Sequence, residues 1–242
     1  MSSFVDHLTV EVEGGKGGDG CVAFHREKFK AKGPPAGGNG APGGCIYIKP
    51  SASLTDLGTL KRRSKAANGE NGKGSWLHGK RGEDLILEVP LGTVVKALPP
   101  REPYEDYKPH RYVYRSPEQR EQEIQARRDA MFIHYPSDGG EHYAESQHFA
   151  KVEAALLESE KRAKKRQRTS PDFTCDLSVL EMDPVLVARG GLGGTGNPAF
   201  TSGEVRSPKF ATRGKAGESL RLFLELKTIA DVGLVGFQNR VS

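Results

Sequence analysis

Glycine limits what this chain can fold into more than any other residue does. Residues 14–44 contain eleven glycines, 69–82 five and 190–203 six, whereas only Gly139 and Gly140 fall between residues 96 and 188. Three kinds of structure tolerate such density. A flexible linker is one, but "EGGKGGDGCVAFHREKF" interleaves strand-forming and charged residues that linkers lack. A collagen helix is another, but it needs glycine at every third position, and the spacing here is irregular. The third is a set of extended, polyproline-II-like segments packed side by side, where a missing Cβ lets neighbouring backbones meet. The residues favour the third and leave a glycine-rich structural or adhesive protein as an alternative.

Outside the glycine blocks the pattern becomes alternating. "HLTVEV" puts Leu8, Val10 and Val12 on one face, and "DLILEVP" does the same with Leu85, Leu87 and Val89. "SLRLFLEL" does so with Leu220, Leu222, Leu224 and Leu226. A period of two predicts half-buried strands. Short strands divided by glycine and proline predict an all-β barrel or sandwich.

Residues 97–176 differ. Pro99, Pro100, Pro103 and Pro109 open the segment as a linker, and Ser116-Pro117-Glu118 has the form of a helix start. "EQREQEIQARRDAMF" predicts a polar helix. A second helix is expected over Gln147–Arg168, with Phe149, Val152 and Leu156 as a thin apolar stripe and "EKRAKKRQR" as a basic tail. The expected organisation is a β scaffold of residues 1–96 and 177–227, interrupted at 97–176 by a charged, partly helical insertion.

Other properties narrow the function. The 242 residues carry a net charge of +5, compatible with a polyanionic partner but weak as a signal. Cys21, Cys45 and Cys175 share no C-x-x-C spacing and are expected to be free thiols rather than a zinc site. No apolar run approaches the ~18 residues of a membrane span. "MSSFVDHLTV" lacks the basic and apolar regions of a secretory signal, and any organelle-targeting segment is expected upstream of it.

Four stretches, "FVDHLTVEVEGGKGGDGCVAFHREKF", "NGENGKGSWLHGKRGEDLILEVPLGTVV", "VARGGLGGTGN" and "LRLFLELKTIADVGLVG", resemble the N-terminal part of the Obg family of translational GTPases. The resemblance covers residues 4–96 and 184–236 in the family's order. It implies a mainly β chain with the Obg fold, a glycine-rich bundle of type II, polyproline-like helices seated on a small β-barrel. It implies that the bundle's loops bind rRNA near the peptidyl-transferase region of the large ribosomal subunit, in ribosome biogenesis. GTP and magnesium are implied for the full-length family, with residues 228–242 as the first strand and truncated start of its GTPase domain. The insertion at 97–176 is longer than the family's usual crossing there, and this departure suggests an organellar, mitochondrial member; otherwise the location would be cytoplasmic.

The expected RNA-binding residues lie in three loops. "HREKFKAKGPP" concentrates Arg26, Lys28, Lys30 and Lys32. Such charges neutralise phosphates, and arginine also stacks on unpaired bases. A solvated turn is the plainer alternative. "NGKGSWLHGKRG" offers Lys73, Trp76, His78, Lys80 and Arg81. Trp76 either stacks on a base or plugs the interior. Arg189 is the candidate from the third loop, and Asn197 nearby is expected to set a turn.

No catalytic constellation appears. The histidines are scattered, and "GGLGGTGN" lacks the strand–turn–helix setting of a dinucleotide site. The phosphate-binding loop G-x-x-x-x-G-K-[ST] starts at Gly236, but Val241 and Ser242 stand where its second glycine and lysine belong. The chain as given is therefore expected to hold no cofactor, no metal and an incomplete GTP site, although its parent family hydrolyses GTP.

Overall fold

The computed structural model describes residues 5–26, 28, 33–99, 116–135, 147–167, 173–180 and 182–227. Among these residues, ten strands are distributed among three sheets. The largest contains β1 (His7–Glu13), β3 (Arg63–Lys65), β5 (Thr93–Leu98), β7 (Thr174–Leu177) and β10 (Ser219–Leu226) in the order β3-β1-β10-β5-β7. The second holds β2 (Ile46–Ser51), β4 (Leu85–Pro90) and β8 (Val185–Ala188), with β2 in the centre. The third pairs β6 (Phe132–His134) with β9 (Phe210–Thr212).

The alternating apolar sets meet in register. Leu8 stands opposite Leu224 and Val10 opposite Leu222 across the β1–β10 pair. Ile46 faces Leu85 and Ile48 faces Leu87 across β2–β4. Val10, Val12, Val95, Leu222 and Leu224 from the larger sheet share one core with Ile46, Ile48, Val89 and Ala188 from the smaller. Each such valine, leucine or isoleucine side chain, fully buried, contributes about 1.5–3 kcal/mol. A one-residue slip would turn every one of them to solvent, so this register is strongly specified.

The expected small β-barrel, and with it the expected Obg architecture, is corrected by these pairings. The two larger sheets are mixed and open: β1–β3 and β2–β4 run parallel, the other pairs antiparallel, and no sheet closes among the described residues. The larger sheet stops at β3 and β7, only three and four residues long, which leaves no ladder to carry the sheet round. Period-two alternation says which face a residue takes, not which strand it pairs with.

The glycine-rich segments lie beyond the sheets, joined by hydrogen bonds with a three-residue repeat. The amides of Gly14, Gly17 and Gly20 donate to the carbonyls of Glu218, Lys215 and Thr212. Those of Gly15, Gly18 and Cys21 donate to Gly44, Ala41 and Gly38. The third direction is met by Asn68 and Asn71, whose Oδ1 atoms accept from Lys16 and Asp19 at 2.9 and 2.7 Å. Three residues per turn is the repeat that lets one extended segment address three neighbours. Close approach makes glycine obligatory at Gly18: a methyl group there would overlap the carbonyl of Glu70.

Two helices are described. α1 (Pro117–Met131) begins with a reciprocal capping box between Ser116 and Gln119. α2 (Gln147–Gln167) buries Phe149 against Phe132 and Phe210, with Val152 and Leu156 alongside. Arg127 and Arg128 reach Glu153 at 3.4 and 3.0 Å, which ties the two helices together. Both also touch the glycine body: Lys215 pairs with Glu160 at 3.2 Å, and Arg213 Nε donates to the Asp129 carbonyl at 2.8 Å.

Candidate nucleic-acid interface

At the end of the glycine body away from the two larger sheets, beside the β6–β9 pair, several loops emerge together. The first is pinched at its base. Phe24 bridges to Pro35, and the His25 and Ala36 amides donate to Pro34 and Ala23 carbonyls at 2.9 and 2.8 Å. Arg26 and Lys28 are exposed on this loop. Lys30 and Lys32 lie outside the described residues. Arg26 Nη2 donates to the Tyr135 hydroxyl at 3.2 Å, and the Phe24 ring meets Tyr135 edge-on at 5.4 Å.

The second loop is a tight turn. The Leu77 amide donates to the Gly74 carbonyl at 3.4 Å, and the Lys73 amide donates to the Leu77 carbonyl at 2.8 Å. Its two central residues, Ser75 and Trp76, have φ of 60° and 58°, a left-handed conformation that costs an L-residue about 1–2 kcal/mol. The turn therefore holds Trp76 outward at an energetic cost. The indole remains 48% exposed. It lies 5.6 Å from the His25 ring at 33°, and its amide donates to the Ala36 carbonyl at 2.8 Å. Leu77 beside it is also exposed.

These contacts bring Arg26, Lys28, Lys73 and Trp76 to one end, and they leave the other candidates along the sides. His78 Nδ1 accepts the Asn39 amide at 3.0 Å, so the imidazole is committed to the body of the segment. The Glu70 amide donates to the Lys80 carbonyl at 3.0 Å, and the Lys80 amide donates to Glu70 Oε2 at 3.4 Å. Arg81 lies toward the sheets, with its guanidinium 3.2 Å from both Asp84 carboxylate oxygens. Arg189 is at the root beside β8, where its amide donates to Glu218 Oε2 at 3.0 Å.

Asn197 has a structural position. It is fully buried, accepts from the Gly37 and Ala23 amides at 3.0 and 3.4 Å, and donates to the Ala23 and Pro208 carbonyls, each at 3.1 Å. Its place within the third glycine block was the sequence signal for it, read there as a turn. Tyr135, from the insertion, had no signal: only the fold places it against a loop 109 positions away.

Nothing among the described residues assembles a metal site. Burial raises the Cys21 thiol above its ordinary pKa, which disfavours the thiolate. The arrangement can offer cations and aromatic faces to a ligand.

Known proteins are similar to this sequence. The family described as GTP1/OBG matches residues 5–113 and 161–228. An uncharacterized mitochondrial GTP-binding protein of Schizosaccharomyces pombe is 35% identical over 240 residues, spanning 98% of this chain and 52% of that protein. The GTPase Obg of Aquifex aeolicus is 36% identical over 241 residues, spanning 99% of this chain and 50% of that protein. The GTPase Obg of Nitratidesulfovibrio vulgaris is 36% identical over 239 residues, at 98% and 46%. The chain thus spans about half the length of the curated relatives it matches.

Proposed function

The chain belongs to the GTP1/OBG family, and we propose that it is the part of an Obg-type GTPase that binds rRNA during assembly of the large ribosomal subunit. The observation that carries this reading is the joint projection of Arg26, Lys28 and Trp76 from one end of a hydrogen-bonded glycine body. Lysine and arginine displace counterions from phosphates, which supplies affinity. An indole held half out of its turn, beside an imidazole, supplies a face on which an unpaired base stacks. Binding to folded RNA rewards rigidity, because a preorganised surface loses less conformational entropy on docking. The region near the peptidyl-transferase centre is the proposed target.

A mitochondrial location is proposed from the name of the fission-yeast relative. Among the described residues no helix is long and apolar enough to cross a membrane.

GTP and magnesium are proposed for the whole protein, in keeping with the names of the relatives. Gly236 lies outside the described residues, and the described residues include no phosphate-binding loop to fit a triphosphate, so no hydrolytic step is assigned to them.

Co-sedimentation with purified large and small ribosomal subunits tests the reading. Binding to the large subunit that weakens steeply with salt is expected; equal binding to both subunits, or none, would contradict it. Titration with labelled GTP tests the second reading, a nucleotide-binding enzyme. Saturable micromolar binding by this chain would favour it.

A further inference from the structure

The GTP1/OBG match leaves out residues 114–160, and part of that stretch lies against the candidate RNA loop. α1 runs into β6, β6 pairs with β9, and the next residue is Tyr135. The Tyr135 amide donates to the Lys209 carbonyl at 3.0 Å. Behind it, Phe132, Phe149 and Phe210 are fully buried, with ring centroids 4.8–5.8 Å apart. The Arg213 amide donates to the Met131 carbonyl at 2.8 Å, which fixes the end of α1 to the glycine body. Tyr135 is thus held from behind, and it presents its ring to Phe24 and its hydroxyl to Arg26.

The chemistry of that contact matters. An exposed arginine that binds a phosphate gives up rotamer freedom worth up to ~2 kcal/mol. A partner that holds the side chain beforehand removes part of this cost. A carboxylate partner, such as Asp84 for Arg81, also offsets the positive charge that the phosphate would use. The Tyr135 phenol is neutral, so it orients the Arg26 guanidinium and leaves its charge available.

Building on the RNA-binding reading above, we propose that Tyr135 is a positioning residue of the RNA surface. The segment absent from the family match presets Arg26 for a phosphate or an unpaired base of rRNA. The insertion thereby sets part of the affinity of this chain for the large subunit.

The test is a double-mutant cycle on the 242-residue chain, with large-subunit affinity measured over a range of salt. Tyr135→Phe keeps the ring on Phe24 and removes only the hydroxyl. It is expected to weaken binding about fivefold, the worth of one hydrogen bond, without changing the salt slope. Arg26→Ala is expected to weaken binding and reduce the slope by about one. In the Arg26→Ala background, Tyr135→Phe should have no further effect. Wild-type affinity for Tyr135→Phe beside a weakened Arg26→Ala would overturn the positioning role alone. So would an equal loss from Tyr135→Phe in both backgrounds, since the hydroxyl would then act through the fold. Wild-type affinity for Arg26→Ala would overturn the RNA contact at Arg26 and this proposal with it.

Discussion

Asn197 accepts the amide of Gly37 on its side-chain oxygen at 3.0 Å, across 160 positions of sequence. With Ala23 and Pro208 also bound to it, one buried amide group joins the bases of the loops that form the candidate surface. Asn197→Ala removes this partner from the Gly37 and Ala23 amides and the Pro208 carbonyl, while the Ala23 carbonyl keeps the Ala36 amide, at about 1–3 kcal/mol for each group left unsatisfied. A total loss of about 3 kcal/mol is expected in urea unfolding. A loss below about 1 kcal/mol would mean that water or other groups replace the amide.

Gly18 and Gly203 form a matched pair. A Cβ on Gly18 would overlap the Glu70 carbonyl, and the obstacle is backbone, which cannot swing aside; a Cβ on Gly203 meets nothing within 4 Å. Gly18→Ala is expected to cost about 3 kcal/mol or more, or to abolish cooperative unfolding. Gly203→Ala should stay within about 0.5 kcal/mol of the wild type. Equal effects in thermal melts would show that close backbone packing does not limit the glycine body.

Glu153 is 6% exposed and faces Arg127 and Arg128, and the Arg128 guanidinium lies 5.5 Å over the Phe149 ring. Glu153→Ala removes the shared carboxylate and leaves Arg128 half-buried without it. A loss of about 3 kcal/mol is expected, with faster proteolysis between α1 and α2. Unchanged proteolysis would mean that the aromatic cluster alone docks the helices.

His134 gives the seam between insertion and glycine body a pH dependence. It packs beside Phe132 and Phe149, and its Nδ1 is buried without a hydrogen-bond partner. Burial lowers its pKa below the ordinary 6.5, Asp129 opposes that, and Arg128 and Arg213 add to it. The unfolded chain therefore takes up this proton at a higher pH than the folded one does. Stability is full above pH 6.5 and falls as the pH drops through the folded value. His134→Phe should flatten that fall in urea unfolding between about pH 7.5 and 5.5. An identical slope in the variant would place the dependence elsewhere.

The strand faces were legible in the sequence because alternation encodes them directly. Leu8, Val10 and Val12 point inward with Leu220, Leu222 and Leu224 opposite, as their spacing implies. The pairing order was not legible. A parallel β1–β3 contact depends on where a long glycine-rich excursion returns the chain, and no local pattern carries that. The helix start at Ser116 was legible from its capping residues. At the candidate surface, charge and the lone tryptophan marked Arg26, Lys28 and Trp76. Local composition marked Arg81 and Arg189 equally; Asp84 stands three positions from Arg81 in the sequence, but Glu218, which accepts from the Arg189 amide, comes near only in the fold. Tyr135 was illegible for the same reason.

The most direct test of the RNA-binding account is the salt dependence of large-subunit affinity for the double variant Arg26→Ala, Lys28→Ala. The account predicts at least about tenfold weaker binding near physiological salt and a log–log slope reduced by about two, one for each phosphate contact removed. Wild-type affinity and slope in that variant would contradict it.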